Sequence, residues 1–131
     1  MSSERILTVA RAGREAVMWE MENDPSVFVL GEDVFTFGGV FGTADGLGEI
    51  FGPERILDTP ISETGFIGLA TGAAMAGMRP IVELAFIDFI GVCFNAIANL
   101  AAKHQYLSNG QVKIPMVLML GAGGGYNNGA Q

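Results

Sequence analysis

The sequence predicts an α/β domain of three layers, with a parallel sheet covered by helices on both faces. Three observations lead there. Helical and strand patterns alternate along the chain. The strand segments are continuous apolar runs, as strands buried on both faces require. Half of the 131 residues are hydrophobic and 16% are charged, which suits one domain with a real core.

The elements follow in order. Thr8 is placed to cap a first helix, with Ala10, Gly13, Val17 and Met21 on one apolar or small face. Asn23-Asp24-Pro25 ends it, and Val27 to Leu30 reads as a strand closed by Gly31-Glu32-Asp33. Residues 35–48 hold five glycines and read as a loop leading to a short helix near Leu47 to Phe51. Arg55-Ile56-Leu57 is a second strand. Asp58 to Glu63 turns into a helix running to about Ala76, with Pro60 or Ser62 at its start. Gly65, Gly68, Gly72 and Ala76 give that helix a small face that another backbone can approach closely. Pro80 to Phe86 is a third strand. Asp88 is placed to cap a long helix to about Tyr106, apolar on opposite sides and therefore expected to be buried all round. Ser108 to Lys113 is a loop, Met116 to Leu120 a fourth strand, and Gly121 to Gln131 a glycine-rich segment.

Composition excludes several classes of function. A net charge of −7 disfavours nucleic acid and anionic membrane surfaces. The run Leu84 to Ala102 is long enough to span a bilayer, but Asp88, Asn95 and Asn99 interrupt it; Gly65 to Met78 is too short. Met1 to Arg5 has no apolar signal region behind it. Cys93 is the single cysteine and reads as a small core residue, so no internal disulfide forms and a cytoplasmic location fits.

Ligands of parallel α/β sheets bind at the carboxyl ends of the strands. Here those ends are Gly31-Glu32-Asp33, Asp58 to Glu63, Ile87-Asp88-Phe89 and Gly121 to Gln131, a rim rich in carboxylates and glycines. Gly121 to Gly125 also invites a phosphate-loop reading, but neither the dinucleotide nor the Walker spacing is complete.

The same rim segments carry a resemblance. Gly31-Glu32-Asp33, Asp58-Thr59-Pro60-Ile61-Ser62-Glu63, Gly72 to Gly77, Met78-Arg79-Pro80 and Asp88 to Phe94 resemble the pyrimidine-binding domain of the β subunits of thiamine-diphosphate-dependent 2-oxo acid dehydrogenases. These are the decarboxylating components of pyruvate, branched-chain and acetoin dehydrogenase complexes. The resemblance covers nearly the whole chain. It implies that residues 1–131 are one pyrimidine-binding domain of transketolase-like fold, incomplete at its C-terminal end, with the family's C-terminal domain absent. The family's active-site histidine follows the Ala-Gln that matches Ala130-Gln131, so a truncated chain is expected.

The resemblance also implies roles. The carboxylate matching Glu63 hydrogen-bonds a ring nitrogen of the aminopyrimidine and favours the imino form that acts as base toward the thiazolium carbon. The ring matching Phe89 stacks on the pyrimidine, and the acid matching Glu32 belongs to a polar network joining paired active sites. Thiamine diphosphate is the implied cofactor, with magnesium and the diphosphate held mainly by an α subunit. The implied assembly is an α₂β₂ heterotetramer serving a lipoyl-bearing acyltransferase. No metal ligand is assigned to this chain. Many members carry arginine at the position of Met119.

Each assignment has a plainer counterpart. Glu63 is also a first-turn acid suited to a helix dipole. Phe89 is also a core phenylalanine and Glu32 a loop carboxylate. Asp33 and Asp58 read as turn-formers, and His104 as a structural or surface residue. For the chain as a whole, the alternatives are a non-catalytic doubly wound module that binds a nucleotide or a protein, and a split transketolase or deoxyxylulose phosphate synthase piece.

Overall fold

The computed structural model describes residues 5–125, 127 and 129–131. The reading of Met1 to Glu4, and Tyr126 and Asn128 of the glycine-rich segment, lie outside these residues.

The chain opens with α1 (Val9–Asn23), where Thr8 caps the helix by accepting from the Arg11 N–H at 3.2 Å. It continues through β1 (Val27–Gly31), α2 (Leu47–Phe51), β2 (Ile56–Asp58), α3 (Glu63–Met75) and β3 (Arg79–Phe86). Residues 87–107 then coil continuously, and β4 (Val117–Gly121) follows. All strand pairs are parallel, in the order β2-β1-β3-β4. Every strand therefore ends on the same rim, as the alternating pattern predicts.

Alternate residues of the strands feed two cores. Val27, Val29 and Ile81 face one side and pack with Val17 and Met21 of α1 and Leu47 of α2. Phe28, Leu30, Val82 and Leu84 face the other and pack with Phe66, Ile67 and Ala70 of α3, and with Cys93 and Ala96. Each fully buried aliphatic side chain contributes about 1.5–3 kcal/mol relative to exposure. Three layers result, with the sheet in the middle.

The region after β3 departs from expectation. Asp88 caps nothing; it lies inside a 3₁₀ turn (Ile87–Phe89). The following helix is α4 (Ile90–Asn95), then a wider π-type coil (Ala96–Ala101), then α5 (Ala102–Leu107). Nor is it buried all round. Cys93 and Ala96 are buried, but Val92 and Phe94 are about 60% exposed, because α3 and the sheet cover only one side. The small face of α3 is also open: a Cβ added at Gly68 or Gly72 would meet nothing within 4 Å. Among the described residues no helix is long and apolar enough to cross a membrane.

Candidate functional site at the carboxyl rim of the sheet

The exits of β1 and β2 are tied together by the Thr59 N–H, which donates to the Gly31 carbonyl at 2.9 Å. This bond brings the segment Thr59 to Glu63 alongside Glu32. Ser62 occupies the position before α3 but does not cap it; its hydroxyl donates instead to the Pro60 carbonyl at 3.2 Å. Glu63 is thus the first residue of α3, its carboxylate placed at the positive end of the helix and only 9% exposed.

Glu32 is half-buried, and its Oε1 is buried with no hydrogen-bond partner among the described residues. Burial pushes its carboxyl above the ordinary value of 4.5, and the charges of Glu63 and Asp33 push it further. Thr59 Oγ1 is a second orphaned polar atom. Orphaned buried polar groups are uncommon in folded proteins and ask for an explanation. A ligand with matching donors and acceptors supplies one.

Phe89 closes the 3₁₀ turn after β3 and is half-buried. Its ring meets Phe86 edge-on, with centroids 6.0 Å apart and planes at 84°. Its carbonyl accepts from the Cys93 thiol at 3.4 Å. Burial raises the thiol above its ordinary value, and the Glu63 charge adds to this. Cys93, one turn beyond Phe89, therefore lies within the electrostatic reach of Glu63. The Thr64 hydroxyl, next to Glu63, donates to the Val92 carbonyl at 2.9 Å and fixes the start of α3 against α4. A local irregularity between Leu84 and Phe86 marks the end of the β3–β4 ladder. Such breaks re-aim side chains at sites.

The structure thus brings Glu63 within electrostatic reach of Glu32 and carries Phe89 immediately before α4, the helix packed against the start of α3. The contacts of two further carboxylates escaped the sequence reading. Asp58 is more than a turn-former: it accepts from the N–H groups of Phe35 at 2.6 Å and Thr36 at 3.2 Å, and from the Thr36 hydroxyl. Glu83 is buried in β3, where a charge inside the apolar run Ile81 to Phe86 was the available signal. Asp33 does form a turn, with a left-handed φ of 56°. His104 lies in α5. A cavity of about 410 Å³ is lined by Ala10, Gly13, Phe41, Glu83, Met119 and Gly121 and touches the rim at the end of β4. None of Glu32, Glu63 and Phe89 lines it.

Residues 6–131 match the family described as transketolase, pyrimidine binding domain. The chain belongs to that family. Relatives of this pyrimidine-binding domain include the β subunit of acetoin:2,6-dichlorophenolindophenol oxidoreductase from Cupriavidus necator. It is 45% identical over 97% of this chain and 40% of its own length. The β subunit of the pyruvate dehydrogenase E1 component from Rickettsia conorii is 51% identical over 85% of this chain and 34% of its own. The Bacillus subtilis acetoin:2,6-dichlorophenolindophenol oxidoreductase β subunit is 40% identical over 97% and 41%. The chain therefore spans well under half the length of these relatives.

Proposed function

We propose that this chain is the pyrimidine-binding part of the β subunit of a thiamine-diphosphate-dependent 2-oxo acid dehydrogenase. One observation carries the reading. Glu63, a residue only 9% exposed, stands at the rim near a second carboxyl whose Oε1 has no hydrogen-bond partner among the described residues. Partly buried acids with a raised titration, as Glu32 has, gather at functional sites. The β-subunit relatives favour this chemistry over a stand-alone nucleotide-binding or protein-binding module.

The residues present fit an aminopyrimidine. Glu63 would accept from, or share a proton with, a ring nitrogen. Glu32 Oε1 and Thr59 Oγ1 offer further polar partners at the same rim. Phe89 offers an apolar face for a flat heterocycle. When bound, thiamine diphosphate supplies a carbon nucleophile and an electron sink for decarboxylation. The part played by this chain is to seat the pyrimidine, exclude water from Glu63, and keep a carboxylate at one ring nitrogen so that the base form at the other end of the ring is favoured.

In this reading the diphosphate and magnesium belong to an α subunit. The assembly is an α₂β₂ heterotetramer, its acyl product passes to a lipoyl-bearing acyltransferase, and the location is cytoplasmic. The test is Glu63→Gln in the complete αβ protein, read by deuterium exchange at the thiazolium carbon. Glutamine keeps the size and loses the charge, so exchange should slow by ~10²–10⁴ with the fold intact. Exchange at the wild-type rate would remove Glu63 from the chemistry and the proposal with it.

A further inference from the structure

Glu83 faces the opposite side of the sheet from Leu84 and Val82, and so lies across the sheet from the α3 layer. It is 5% exposed, and no ion pair reaches it among the described residues. A buried acid without a cation is costly unless its oxygens are satisfied. Here both are. The Val40 N–H donates to Oε1 at 2.9 Å, and the Thr43 hydroxyl donates to Oε2. Both donors come from the loop after β1, Val40 lying 43 residues away in sequence.

The fit between this loop and the carboxylate is close. A Cβ added at Gly39 would collide with both carboxylate oxygens, and Gly39 has a left-handed φ of 80°. Loop position is then passed on in two directions. The Gly39 and Phe37 N–H groups donate to the Asp33 carbonyl at 3.0 and 2.9 Å, one residue from Glu32. The Phe41 ring packs against Gly121 and meets Phe86 edge-on, with centroids 5.5 Å apart; Phe86 in turn meets Phe89. The loop pinned by Glu83 therefore touches the supports of both groups that accompany Glu63.

We propose that Glu83 is a positioning residue for the rim site: it pins the loop, and the loop holds the Glu32 carboxyl and the Phe89 ring in place around Glu63. The catalytic part of this inference rests on the proposed function; the pinning itself does not.

The experiment uses the complete β chain assembled with its α partner and compares Glu83→Ala, Glu83→Gln and Thr43→Val. Three quantities are measured: hydrogen exchange of residues 33–45, thiamine diphosphate affinity as a function of pH, and melting temperature. Loss of both bonds in Glu83→Ala should speed exchange over 33–45 and weaken cofactor binding, each by at least ~10-fold, the factor expected for the loss of even one hydrogen bond's net contribution. The acid limb of the binding profile should also move to lower pH, because a Glu32 released from burial and from Glu63 titrates nearer its ordinary value. Glu83→Gln should restore both readouts, since its amide oxygen can accept from Val40 and its NH₂ can donate to the Thr43 hydroxyl. Thr43→Val removes one of the two bonds and should fall between; it carries the test if Glu83→Ala does not fold. A lower melting temperature with unmoved affinity and pH profile would make Glu83 merely structural and overturn the proposal. Glutamine behaving like alanine would overturn it too, since the charge would then matter rather than the bonds. If Glu63→Gln leaves deuterium exchange at the thiazolium carbon at the wild-type rate, the proposed function fails separately. Exchange over 33–45 then decides alone, and an unchanged rate in Glu83→Ala overturns the pinning.

Discussion

Glu63 sits near enough to Glu32 for its charge to add to the burial that holds the Glu32 carboxyl above its ordinary value. The folded chain therefore binds the Glu32 proton more tightly than the unfolded chain does. Below 4.5 both states are protonated and nothing is lost. As pH rises from 4.5 through the raised value, the unfolded state ionises first, and Glu32 takes stability away from the fold. Denaturant titrations between pH 4 and 8 should show this decline in the wild type. In Glu32→Gln the decline should be smaller, leaving the contribution of Glu83, whose carboxyl is likewise raised by burial against the hydrogen bonds from Thr43 and Val40. Identical slopes in the two proteins would show that Glu32 is not held up by its surroundings.

Phe89 is half-buried, in a T-shaped pair with Phe86 and packed against the core beneath α3. That leaves a ring able to serve both packing and stacking. In the complete assembly, Phe89→Ala should weaken thiamine diphosphate binding by about 0.5–1.5 kcal/mol for the stacking contact. It should also lower the melting temperature, because the ring still fills part of the core. Calorimetric titration and a thermal melt on the same sample separate the two effects. Unchanged affinity in a destabilised protein would assign Phe89 to packing alone.

Much of the fold is legible in local pattern. Thr8 announces α1, and the apolar runs Val27 to Leu30 and Pro80 to Phe86 announce central strands, because the signals lie within a few residues of each element. Glu63 and Glu32 are legible as rim residues for the same reason: each follows directly on a strand or turn. What Asp58 and Glu83 hold is not. Their partners lie 22 to 43 residues away, and no local pattern says which loop will fold over which carboxylate. The exposure of Val92 and Phe94 was also invisible. An apolar side chain records what it prefers, not which neighbour covers it, and only one side of residues 90–107 meets the rest of this chain.

Asp58 holds the other end of the loop after β1, through the N–H groups of Phe35 and Thr36 and the Thr36 hydroxyl. Bonds to a charged acceptor contribute more than neutral ones, but this carboxylate is exposed, so the lower part of the range applies. Asp58→Ala should cost about 1–2 kcal/mol and speed amide exchange at Phe35 and Thr36. Asp58→Asn, which keeps one acceptor oxygen, should recover part of it. Amide exchange followed by mass spectrometry, paired with denaturant melts, checks both. Unaltered exchange at those two amides in Asp58→Ala would mean that the loop is fixed elsewhere.

The open face of α3 gives a prediction with opposite signs in two states. Gly68 and Gly72 lie in the interior of a 13-residue helix, and a Cβ at either would meet nothing within 4 Å. Glycine in a helix interior costs roughly 0.5–1 kcal/mol relative to alanine, through backbone entropy. With no clash to offset the gain, Gly68→Ala and Gly72→Ala should each stabilise the separate chain by about that amount, measured by denaturant titration. The same glycines, flanked by the exposed Leu69, leave room for another backbone to approach. In an assembly that uses this room, two added methyls hold the helices apart. The double variant should then be more stable as a separate chain and weaker in association with its partner, the latter measured by sedimentation. A double variant that gains stability and associates as tightly as wild type would show that this face stays open to water in the assembly. One that loses stability as a separate chain would show that the face is already covered within it.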